Sequence, residues 1–195
     1  MTPARAAIFD LGGVLIRWRP EAGLAGLFET EAALADALAA VDFEAWNAAL
    51  DDPALAPAIA PEATWFAAYR DGVEAAHAEA IPGAVQLLER LHAAGIPLYA
   101  ISNTARRSLA AIRAVHPFMA LFEDVAISAV EGARKPDPAI YRALLVRNGL
   151  AVERCVFIDD GARYVDGARA VGMRGVLFET PEQCAAALRA EGLPT

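Results

Sequence analysis

The sequence predicts an α/β protein, a doubly wound parallel sheet with a small inserted helical cap. Three observations carry that expectation. Five short apolar runs, Ala6–Phe9, Leu98–Ile101, Val125–Ile127, Cys155–Ile158 and Gly175–Phe178, each stop close to a polar or glycine residue. Continuous apolar runs of this length are how strands buried on both faces read. Segments of helical length separate the last four runs, and regular alternation of strand and helix is the pattern of a parallel sheet covered on both sides. The third observation is an interruption: from about Arg17 to Ala80 the chain turns into an alanine-rich series of helices punctuated by Pro53, Pro57 and Pro61.

Taken in order, the first strand is followed directly by the interruption, which assigns residues 1–16 and 81–195 to the core and 17–80 to a cap. Gly83–Ala94 then forms a helix, with Pro82 at its beginning, where a missing N–H costs nothing. Helices over Arg106–Val115, Asp137–Arg147 and Arg163–Val171 connect the remaining strands, and Pro181 opens the last one, through Ala190. The alanine bias of the insertion reflects helix propensity. Ligands of such sheets gather beyond the carboxyl ends of the strands, so a cap placed after the first strand overhangs that edge.

Composition narrows the functional classes. With 195 residues and 56% hydrophobic content the chain can bury a full core. No apolar run approaches the roughly 18 to 20 residues that span a bilayer, and Met1 to Ala7 lacks the pattern of a signal peptide. The expectation is a soluble, cytoplasmic protein without a membrane partner. Cys155 and Cys184 show no metal-type spacing, and a structural disulfide is not expected. A formal net charge of −8 opposes nucleic-acid binding. An anionic substrate must then be held by local charges.

The strand ends supply candidates. The first ends in Phe9-Asp10-Leu11-Gly12-Gly13-Val14, a carboxylate followed by two glycines that let backbone amides approach an anion. Alone, that segment reads equally well as an ordinary turn. The second strand ends in Ser102-Asn103-Thr104, the third is followed by Lys135-Pro136-Asp137-Pro138, and the fourth ends in Asp159-Asp160-Gly161. Each has a plainer reading: Ser102, Asn103 and Asp137 as helix caps, Lys135 as a surface charge, Asp159 and Asp160 as turn residues.

In combination these segments resemble the four motifs of the haloacid dehalogenase-like superfamily, in order and across nearly all of a Rossmann-like core. They are Asp10 to Leu15, Ile101-Ser102-Asn103, Arg134 to Tyr141, and Val156 to Asp160. The insertion resembles the small helical cap of the subgroup holding haloacid dehalogenases and sugar-phosphate phosphatases. The resemblance implies a magnesium-dependent phosphatase of a small phosphorylated metabolite, with a sugar phosphate among the candidates, acting as a monomer or homodimer. Asp10 would be the nucleophile, forming an aspartyl phosphate. Mg2+ would be held by Asp10, the Gly12 carbonyl and Asp160, with Asp159 ligating directly or through water. Lys135 would pair with Asp10 and the transferring group; Ser102, with amides near Asn103 and in the Gly12-Gly13 loop, would bind phosphoryl oxygens.

Two positions depart from the family pattern. Phosphatases of this kind usually carry a second Asp two residues after the nucleophile, as acid and then base, and here Gly12 stands there. Tyr164 replaces the Asp or Asn common four residues after the metal-binding Asp, and Asp166 is expected to face solvent. Within the insertion, Arg17 and Trp18 are the leading candidates for substrate contact. Arg19, Asn47, Trp46 and Trp65 follow, the two tryptophans more as cap-core aromatics. His77, His92 and His116 are expected to be satisfied or solvated. Two rival readings remain, a metal-independent 2-haloacid dehalogenase and a catalytically weak binding or regulatory member.

Overall fold

The structure, a computed structural model, describes residues 5–57 and 62–195. Pro61 and most of the segment read for a signal peptide lie outside the described residues. Five parallel strands form the sheet, β1 (Ala6–Phe9), β4 (Leu98–Ser102), β5 (Asp124–Ile127), β6 (Cys155–Asp159) and β7 (Arg174–Leu177), in the order β5-β4-β1-β6-β7. The first strand therefore sits at the centre, with the chain wound outward from it in both directions. That is the doubly wound α/β architecture expected from the apolar runs.

Alternation along the strands divides the core in two. Ala7 and Phe9 of β1, with Val156 and Ile158 of β6, pack beneath α6 (Pro82–Ala93), α7 (Arg106–Val115) and α11 (Pro181–Ala190). Ile8 and Phe157 face the opposite layer, α9 (Pro138–Arg147) and α10 (Ala162–Ala170). In α6 the buried residues Ala84, Leu87, Leu88 and Leu91 follow helical spacing, and each of the leucines contributes about 1.5–3 kcal/mol by leaving water. Pro82, Pro138 and Pro181 open their helices. Asp137 and Thr180 cap theirs by accepting from the Ala139 and Gln183 amides. Cys155 and Cys184 are both free and buried, and burial pushes their thiols up to about 11 and about 12.

The insertion leaves and re-enters the core through a two-stranded antiparallel ribbon, β2 (Ile16–Arg17) and β3 (Glu79–Ala80). Between them lie α1 (Glu21–Leu24), α2 (Glu31–Ala40), α3 (Phe43–Asp51), α4 (Glu62–Asp71) and α5 (Val73–Ala76). Their common core is aromatic: Trp46 meets Phe66 at 5.6 Å and Tyr69 at 5.4 Å between ring centroids. Ala105 and Ala111 of the α7 region belong to the same cluster, so the insertion packs on the sheet layer. Asp51 adds a polar clasp. Its carboxylate accepts from the Arg106 and Arg107 amides at 2.7 and 3.1 Å, capping a core helix that has no side-chain cap of its own. A short helix, α8 (Ser128–Glu131), follows β5 directly. No described helix is long and apolar enough to cross a membrane.

Candidate active site

At the carboxyl edge of the sheet the ladder runs one residue past β1, because the Asp10 amide donates to the Ile158 carbonyl at 2.8 Å. Asp10 is thereby fixed at the centre of the edge. Its Oδ1 accepts from the Leu11 amide at 2.7 Å and from the Lys135 ammonium at 2.8 Å, which leaves Oδ2 without a partner among the described residues. Lys135 is 2% exposed and also donates to Asp159 Oδ2 at 2.6 Å. Burial pulls such an ammonium down, but the two carboxylates more than offset it and hold Lys135 above the usual lysine value. Asn103 keeps the lysine in place: its side chain accepts from the Lys135 amide at 2.8 Å and donates to the Lys135 carbonyl at 3.0 Å.

Both oxygens of Asp159 are engaged, Oδ2 by Lys135 and Oδ1 by the Gly161 amide at 2.8 Å. Burial and the nearby Asp10 raise its carboxyl above the ordinary range in spite of the lysine. Asp160 is exposed at the cavity and is raised for the same two reasons. Ligand atoms of Asp10, Asp159 and Asp160 all lie within 4.8 Å of one another. Three carboxylates thus share one ammonium, an excess of negative charge that a divalent cation with a preference for hard oxygen ligands suits. Gly13 makes the crowding possible. Its φ is +80°, and a Cβ there would collide with the Asp160 carboxylate.

A cavity of about 350 Å3 opens over this cluster. Asp10, Gly12, Gly13, Ser102, Asn103, Lys135 and Asp160 line it, together with Trp18. No described residue takes up the Ser102 hydroxyl, whereas the Asn103 side chain is consumed by Lys135. Asn103 is therefore a clamp on the lysine loop. Arg17 is not brought to the cavity. It lies on β2 with its guanidinium on Glu79 at 3.0 Å, since a strand turns successive side chains to opposite faces. Trp18 is 39% exposed and packs edge-on against Phe43 at 5.0 Å.

Trp46 is buried, and Trp65 packs with Phe28, both inside the insertion. Arg19 pairs with Glu21 and Glu79, and Asp166 with Arg169 on the solvent side. Gly12 is not in the left-handed region, and a Cβ there would meet only Trp18 Cβ, at 3.7 Å. The acid is missing from that position, but a Cβ would fit there.

Two residues that the sequence did not assign to the site, Tyr164 and His77, also line the cavity. Tyr164 lays its ring under the Lys135 ammonium, 5.0 Å from the centroid, so an aromatic face occupies the place of the expected carboxylate or amide. His77, read as simply satisfied, does hold the Val73 carbonyl through Nδ1 at 2.7 Å, yet it also lines the cavity. Its own carbonyl accepts from His116 at 2.7 Å. Nothing in the local sequence signals that the end of the insertion folds back on the first loop.

A carboxylate cluster around a buried lysine thus stands at the carboxyl edge of a doubly wound sheet, where ligands of such folds gather. The chain belongs to the haloacid dehalogenase-like hydrolases, whose family profile matches residues 4–172. It is similar to a sesquiterpene phosphatase, astK, of Aspergillus oryzae, with 30% identity over 90% of each chain. It is also similar to a phosphoglycolate phosphatase of Rhodospirillum rubrum, with 31% identity over 89% of this chain and 79% of that one. In structure it resembles the magnesium-bound hydrolase YfnB from Bacillus subtilis, with a TM-score of 0.78, 17% identity, and coverage of 96% and 99%.

Proposed function

We propose that this protein is a magnesium-dependent phosphatase that hydrolyses a small phosphate monoester through an aspartyl phosphate on Asp10. The observation that carries the reading is the division of labour on Asp10: Oδ1 is pinned by Leu11 and Lys135, and Oδ2 is left for the cavity. Both relatives named above are phosphatases, which supports phosphate-ester chemistry while leaving the alcohol open. Residues 17–80 would serve as a cap over a catalytic core formed by the rest, in a soluble, cytoplasmic enzyme.

In the first step Asp10 Oδ2 attacks phosphorus, a phosphorus–oxygen bond forms, and the bond to the ester oxygen breaks. The departing oxygen keeps the electron pair and takes a proton from water, since Gly12 offers none. Water then attacks phosphorus, losing a proton to solvent, and the bond to Asp10 breaks, restoring the carboxylate and releasing phosphate. Lys135 lessens the repulsion between Asp10 and the phosphate, and the Ser102 hydroxyl with amides following β4 donates to the phosphoryl oxygens. Magnesium, held by Asp10, the Gly12 carbonyl and Asp160, would supply the remaining neutralisation. Asp159, with both oxygens taken, acts here by holding Lys135 rather than by ligating directly.

The test is hydrolysis of p-nitrophenyl phosphate with and without magnesium, for the unmodified protein and for Asp10→Asn. Expected are turnover that requires magnesium and its loss in a folded Asp10→Asn variant. Turnover that survives a chelator would overturn the magnesium requirement.

A further inference from the structure

Beside the catalytic cavity lies a second one of about 300 Å3, and the two share Asn47, Asn103 and Thr104 as walls. It sits between α3 of the insertion and the loops that follow β4 and β5. From its walls we infer that the alcohol part of the substrate is an apolar, chain-like group that runs from the phosphate site into this second cavity. The inference rests on the phosphatase reading and names the substrate class it leaves open.

The walls are small and apolar: Ala48 from α3, Ala105 before α7, Ala129 on α8, and Gly132 with Ala133 beyond it. Several of the polar atoms that do occur are claimed by other parts of the protein. Asn103 spends its side-chain amide on the Lys135 backbone. The Ser128 hydroxyl donates to the Thr104 carbonyl at 3.3 Å, and the Ala129 carbonyl accepts from Arg106 at 2.9 Å. Asn47 Oδ1 accepts from the Tyr69 hydroxyl at 3.2 Å. A sugar brought into this space would lose water from its hydroxyls and find few partners, which is unfavourable for each hydroxyl. A hydrocarbon chain loses nothing of the kind and gains by leaving water. Arg134 contributes the one charged side chain of this wall among the described residues, and its methylene stem is itself apolar cover.

The experiment is a chain-length series: kcat/KM for methyl, butyl, octyl and geranyl phosphate, beside glucose 6-phosphate and phosphoglycolate, with p-nitrophenyl phosphate as the control for phosphatase activity. Each methylene that reaches the second cavity should raise kcat/KM by about threefold, so octyl phosphate should exceed butyl phosphate by at least about tenfold. Ala48 lines the cavity and is exposed, so Ala48→Phe brings a ring to its mouth without disturbing packed core. That variant should cut the octyl-to-butyl ratio toward unity, a readout that a general loss of activity would not move.

Turnover of p-nitrophenyl phosphate with a flat series, or with sugar phosphate or phosphoglycolate as the best substrate, would overturn the apolar chain alone. Failure to hydrolyse any of these esters would overturn the phosphatase reading and the inference with it.

Discussion

In the sheet core the residues of the site are fixed through their own main-chain atoms, Asp10 by an extra ladder bond to β6 and Lys135 by the grip of the Asn103 side chain on its amide and carbonyl, while the absence of a Cβ at Gly13 makes room for Asp160. In the insertion, Trp18 and Asn47 are held by other side chains, the ring of Phe43 and the hydroxyl of Tyr69. Backbone-anchored groups keep their geometry when neighbours change, whereas groups anchored by side chains shift with them. The core should therefore set the rate of the chemical step, and the insertion should set which ester is accepted. Substitutions in the two regions are expected to separate into effects on kcat and effects on selectivity.

The largest effect belongs to Lys135. Lys135→Met removes the one ammonium between two carboxylates, and kcat should fall by about 10³-fold. Leaving those charges buried and unpaired should also cost about 3–5 kcal/mol of stability in denaturant titration, which added magnesium should partly recover. A stable Lys135→Met protein with near-normal kcat would break the division between the regions.

Gly12→Asp should act in the opposite direction. Gly12 has no left-handed φ, and a Cβ there has room. An acid placed there should raise turnover of alkyl phosphates by about 10²-fold and leave aryl phosphates almost unchanged, since good leaving groups depart without a proton. An equal rise for both classes, read from steady-state rates, would mean that the added carboxylate acts through the metal site instead.

What the sequence disclosed follows the same division. Strands buried on both faces have nowhere to place polar residues, so the five runs and the motifs at their ends stood out. Helix starts were marked by Pro82, Pro138 and Pro181. The ribbon of β2 and β3 was not legible, because two-residue strands carry no period. For that reason Arg17, next to the catalytic loop in sequence, looked like a substrate ligand while its side chain turns outward to Glu79. Asn103 was given to the substrate for a related reason: its partner Lys135 lies far along the chain. The cavity position of His77 depends on how the insertion folds back, which is tertiary information.

Smaller effects sharpen the comparison on the insertion side. Asp51→Ala removes the cap that the insertion supplies to α7 and should cost about 1 kcal/mol. If the clasp also seats the insertion, KM should rise while kcat holds; a fall in kcat alone would argue that Asp51 serves the core. The smallest expected effect is a pH slope from His77. Burial, only partly opposed by its bond to Val73 and reinforced by the facing His116, lowers its pKa. The unfolded chain then binds more protons than the folded one between the lowered value and about 6.5, so stability should rise with pH through that window and be lost below it. His77→Gln should flatten the slope in unfolding measured from about pH 5 to 7.

The central claim is that phosphorus is transferred to Asp10, and it is tested most directly by trapping. Protein mixed with magnesium and p-nitrophenyl phosphate, quenched in acid during turnover and digested, should yield the peptide carrying Asp10 with one added phosphoryl group. The adduct should be absent in Asp10→Asn and absent when magnesium is withheld. Steady hydrolysis with no phosphoryl group on that peptide, or with the group on another residue, would contradict the account.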